Sequence, residues 1–196
     1  MSGVAWTRLS SEPIWEASAR AHRPRLTRIY HVWDRVIRLY ARAETVLNLP
    51  YDRALDLAIL THSVQIDIGG DRRSRSVAWL RTHAGPDEPV DIAAGYILAG
   101  PYRSFIDPRL PLLELSDLAF PETGHQALRD MQDQIMLLTR LSADEVALGL
   151  SDELNRIRRA LAASLHRISR PPERDLATAI ILGCEQLSPQ GRDRFI

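Results

Sequence analysis

Apolar residues recur at helical spacing along nearly the whole of this 196-residue chain, and sustained alternation, the mark of a half-buried strand, is almost absent. The pattern predicts an all-α fold. Its clearest instance is the set Ile29, Val32, Trp33, Val36, Ile37, Tyr40, Ala43 and Leu47, which predicts one long helix over residues 28–47, stopped by Pro50. A second helix is expected over 52–64 on Leu55, Leu57, Ala58, Leu60 and Thr61, before Gly69-Gly70 breaks the pattern. Shorter helices are expected over 74–83, with Val77 and Leu80 inward, and over 90–98.

Beyond Gly100, three prolines (Pro101, Pro108 and Pro111) predict an irregular stretch. Thr123 with Gln126, and Ser142 with Glu145, have the form of capping boxes, so helices are expected to begin there, the first reaching Leu141. From Ser151, Leu154, Ile157, Leu161, Leu165 and Ile168 make a further stripe, and Pro171-Pro172 separates it from a last helix through Ile180, Ile181 and Cys184. There is no internal repeat and no flexible linker. The length is that of one ordinary domain, so the expectation is a single domain over 1–196, with its core at about 14–140 and added C-terminal helices at about 142–196.

Charge narrows the function. The 25 basic residues, all arginine, balance 25 acidic ones, which leaves none of the positive field of a general nucleic-acid binder. The runs Arg72-Arg73-Ser74-Arg75 and Arg156-Ile157-Arg158-Arg159 read mainly as solvated faces. One cysteine, Cys184, suits a reducing cytoplasm, and no segment has the length or apolarity of a signal peptide or a membrane span. The stripe from Leu154 to Ile168 offers itself equally as a contact within a homodimer. There is no His-Glu-x-x-His motif, no phosphate-cradling glycine loop and no Gly-x-Ser-x-Gly elbow.

Three segments carry the remaining chemistry: Arg28-Ile29-Tyr30-His31, then Ala58-Ile59-Leu60-Thr61-His62, then Leu115-Ser116-Asp117-Leu118. In order and spacing, over residues 14 to 140, they resemble the HD-domain superfamily. The likeness is to its metal-dependent phosphohydrolases, which open with Arg-x-Tyr-His-x-x-x-His, continue with Ala-Ile-x-x-His-Asp and later carry Asp-x-Asp-Leu. The resemblance implies an HD-like helical bundle in which His31, His62 and Asp117 match metal ligands, the ion being Mn, Fe, Ni, Zn or Mg. It also implies a water-activating phosphohydrolase chemistry.

The departures are as informative. Arg35 stands where the family has its second histidine, Ser63 where it has the aspartate of His-Asp, Arg103 near a later histidine, and Leu115 at the first Asp of Asp-x-Asp-Leu. Loss of an anionic ligand and gain of cations both work against a divalent metal. Two readings follow from the resemblance. In the first, the site is degenerate, catalytic residues are unknown, and the protein is a pseudo-enzyme that serves as a binding or interaction module. Arg35 and Arg103 then either hold a phosphorylated small molecule or nucleotide, or point outward and pair with acids such as Asp34 and Glu114. In the second, His31, His62 and Asp117 still hold a metal and the protein is an active phosphohydrolase, with Asp67, Asp71, Asp91 or Asp107 as replacement ligands. The other histidines, His22, His83, His125 and His166, read as structural or surface residues. The tryptophans read as packing groups, with Trp33 a candidate for the cavity mouth.

Overall fold

The computed structural model describes residues 12–66, 71–99 and 107–188, and among them the chain is all-α, with no strand beyond one isolated bridge between Arg25 and Arg28. It divides into two compact units, Met1–Gly100 and Pro101–Ile196, a boundary that falls inside the span the sequence assigns to one core.

The first unit is arranged around a helix with no solvent face. Helices α1 (Pro13–Ala21) and α2 (Trp33–Thr45) precede it, and α3 (Arg53–Thr61) is buried at every residue from Ala54 onward. Asp52 caps it, its carboxylate accepting from the backbone N–H groups of Ala54 and Leu55 at 3.0 and 3.1 Å. Helices α4 (Arg72–His83) and α5 (Val90–Ala99) pack on it, Val77 and Leu80 turning inward as expected. A helix buried all round must satisfy any polar group it carries. Asp56 is such a group, and it accepts from Tyr40 Oη at 2.7 Å, Tyr51 Oη at 3.0 Å and Arg53 Nη1 at 3.1 Å. Burial raises its pKa, and these three donors oppose the rise. Arg53 also binds Glu12 at 2.6 Å and makes a two-pronged pair with Glu88, so α3 is tied to the start of α1 and to the loop before α5.

The boundaries of α2 and α3 differ from the sequence expectation. The helix predicted from 28 begins at Trp33: Arg28 N–H donates to the Arg25 carbonyl, Val32 is extended, and Trp33 N–H donates to the His22 carbonyl at 3.1 Å. Ile37, expected inward, is 40% exposed, while Leu39 is fully buried. The same helix ends before Pro50, at Thr45, where Asn48 turns left-handed with φ 45° and Leu49 N–H reaches back to the Ala43 carbonyl. Helix α3 stops at Thr61, three residues short of the expected end.

The second unit opens with α6 (Arg109–Leu115), where an irregular stretch was expected. Pro111 is tolerated because it lies in the first turn, where its missing N–H has no intrahelical acceptor to serve. A 3-10 turn (Ser116–Ala119) leads to α7 (Pro121–Thr139). That helix starts at Pro121 and not on a Thr123 cap; Thr123 Oγ1 instead donates back to the Phe120 and Asp117 carbonyls. The Ser142–Glu145 capping box is present as read, and it starts a single helix, α8 (Ala143–Ser164), which runs through Ser151 without a break. Helix α9 (Pro171–Leu187) packs on α8, and Leu154, Ile157, Leu161 and Ile168 are buried. The stripe suggested as a subunit contact is thus used within the unit. Among the described residues no helix is long and apolar enough to cross a membrane.

Helix α9 approaches the 3-10 turn at Gly183, where a Cβ would lie 1.8 Å from the Leu118 carbonyl oxygen and 2.8 Å from its carbon. Backbone, not a movable side chain, is the obstacle. Gly183→Ala is therefore expected to cost on the order of 3 kcal/mol or more, and a thermal melt within about a degree of the parent would refute this reading of the contact. Tyr40→Phe removes one donor from the buried Asp56 carboxylate. It is expected to cost about 1.5–3 kcal/mol in denaturant unfolding, with the slope unchanged.

Candidate functional site

The end of α3 creates a demand. It runs into a buried turn at residues 62–64, and the carbonyls of Leu60 in its last turn and of Ser63 and Val64 beyond it take donors from elsewhere in the fold. These come from α1 and from the segment between α1 and α2. Arg28, 1% exposed, donates through Nη1 to the Ser63 carbonyl at 3.0 Å and through Nη2 to the Val64 carbonyl at 2.9 Å, while Nη1 also reaches its own neighbour's carbonyl, His31 O, at 3.1 Å. A cation at a helix C-terminus is also favoured by the helix dipole. Ser18 Oγ, from α1, donates to the Leu60 carbonyl at 2.5 Å.

His22 completes this closure. Its Nδ1 lies 2.9 Å from the Ser18 carbonyl, which can only accept, so Nδ1 carries the proton. Its Nε2 therefore accepts, from the Ser63 hydroxyl at 3.0 Å. Desolvation lowers the His22 pKa to about 3, the Ser18 hydrogen bond opposing and the charges of Arg28, His62 and Arg35 assisting, so the ring is neutral at physiological pH.

His62 is fixed by the same logic. Nδ1 donates to the Ile59 carbonyl at 2.9 Å, which leaves Nε2 as the acceptor for Arg35 Nη1 at 3.2 Å. Arg35 is 3% exposed and lies over the Tyr30 ring with its guanidinium carbon 4.5 Å from the centroid, a cation–π contact. The half-buried His31 stands perpendicular to the same Tyr30 ring, centroids 4.7 Å apart. Its pKa is held well below the ordinary range by desolvation first and then by Arg35, His62, Arg28 and His22. Five basic side chains thus share one electrostatic neighbourhood.

The structure brings together Arg35, His62 and Ser63 from the sequence-derived set and places His31 beside them. Asp117 belongs to the second unit, where it is buried in the 3-10 turn. Arg103 and Asp67 lie outside the described residues. Of the suggested replacement ligands, Asp71 caps α4 through Ser74, Asp91 pairs with Arg81 at 3.2 Å, and Asp107 holds Arg109 at 2.6 Å. Arg35 does not point outward, and Asp34 beside it is exposed. As arranged, His62 has no lone pair left for a metal: a cation there would have to displace the Arg35 guanidinium. Among the described residues no three His, Cys, Asp or Glu side chains form a group that would hold a metal ion.

Sequence reasoning missed His22 and the role of Arg28. The structural or surface reading of His22 holds in its structural half, since the ring is fully buried; what the sequence does not show is its place at the centre of the cluster, bonded to Ser63. The Ser18–His22 spacing of four, which puts both on one face of α1, was the available signal. His125 and His166 are exposed, as read, and His83 is exposed and stacks on Trp79 at 3.8 Å. Trp33 packs edge-on against Trp15 at 5.1 Å, and Trp15 stacks on Tyr40. Trp33 also lies beside His22, ring centroids 6.1 Å apart, so this aromatic packing borders the cluster.

No protein-family model, curated protein or solved structure matches this chain.

The neutral His22 gives stability a direction with pH. Below 6.5 the unfolded chain binds a proton that the folded chain refuses until about pH 3, so stability falls as pH drops through that window. At about 1.4 kcal/mol per pH unit the full effect is on the order of 5 kcal/mol, and His31 acts in the same sense. Thermal melts are expected to fall from pH 7 to pH 4, and less steeply in His22→Gln; equal slopes for the two proteins would refute the assignment.

Proposed function

We propose that this chain is an HD-domain-like protein in which a guanidinium stands where its active relatives keep a metal, and that it binds a phosphorylated small molecule or nucleotide without hydrolysing it. The observation that carries this reading is the buried hydrogen bond from Arg35 Nη1 to His62 Nε2 at 3.2 Å. The two residues occupy positions that the resemblance assigns to metal ligation, and the atom that would bind a metal is engaged by a cation. Guanidinium presents several donors in a planar fork, suited to two phosphate oxygens at once. With Arg28 in the same cluster, the potential there favours an anion over a divalent cation. Nothing in such an arrangement activates water.

The cytoplasm is the setting we assign to it. The lone Cys184 is buried and its thiol is pushed up to about 12, which makes it a packing group and not a reactive or cross-linking one. The zero net charge favours a small ligand or a protein partner, including a second copy, over nucleic acid.

The test is calorimetric titration with inorganic phosphate and a nucleoside monophosphate, together with elemental mass spectrometry and a phosphate-release assay in manganese, iron, nickel, zinc or magnesium. The expected result is saturable binding, weakened about tenfold or more in Arg35→Gln, with no metal retained and no phosphate released. Absence of saturable binding to the folded protein would overturn the binding reading. Retained metal that is lost in His31→Ala, His62→Ala and Asp117→Ala, with phosphate release abolished by the same changes, would establish the hydrolase reading in its place.

A further inference from the structure

We draw no further inference here: the strongest candidate, the Ser63–His22 hydroxyl–imidazole pair held between the end of α1 and the end of α3, belongs to the cluster already described.

Discussion

The buried C-terminal end of α3 sets the terms for the first unit. A helix surrounded by protein on every side cannot hand its last carbonyls to water, and the desolvation cost of leaving even one unsatisfied is comparable to a sizeable part of a domain's net stability. Ser18 meets this demand for the Leu60 carbonyl, and Arg28 meets it for the Ser63 and Val64 carbonyls of the buried turn that follows the helix, with His22 bonded to Ser63 beside them. Around these contacts residues 28–32 are not helical: the Arg28 side chain is committed to that turn, the His31 carbonyl accepts from Arg28, and Trp33 N–H donates to the His22 carbonyl, so the amphipathic pattern that continues through them does not become helix.

That solution shapes the candidate site. Closing a helix end with guanidinium and neutral imidazole concentrates positive charge and uses up imidazole lone pairs. His22 spends its lone pair on Ser63 and His62 spends its own on Arg35. The positions that the HD resemblance marks as departures, Ser63 and Arg35, are the residues that make these bonds. An aspartate at 63 would present a carboxylate to the His22 lone pair, where the serine hydroxyl supplies the donor that the ring needs. The substitutions are therefore mutually consistent: each supplies a hydrogen bond that the cluster uses.

The second unit is held by a different constraint, steric more than polar. Gly183 lets α9 come against the carbonyl of Leu118, and Gly124 faces Leu187 from α7, its missing Cβ leaving room for the leucine methyl at 2.9 Å. Helix α9 also packs on α8, whose Leu154, Ile157 and Leu161 are buried. Asp117, carried over as a metal ligand by the resemblance, sits within the 3-10 turn that this packing pins in place.

By itself the sequence determined the helical class, the inward faces of α3, α4 and α8, and the Ser142–Glu145 cap, because each rests on local spacing or on a hydrogen bond between residues three apart. Its resemblance to the HD superfamily also singled out His62 as a match and Ser63 and Arg35 as departures. Only the tertiary structure decided where the helix after Tyr30 begins, why Pro111 sits inside a helix, and that His22 is a central member of the cluster. The reason is physical. A helix start or a histidine tautomer is chosen by which distant carbonyl or hydroxyl needs a partner, and His22 and Ser63, 41 positions apart, and Arg28 and Val64, 36 positions apart, leave no trace of that pairing in the local pattern.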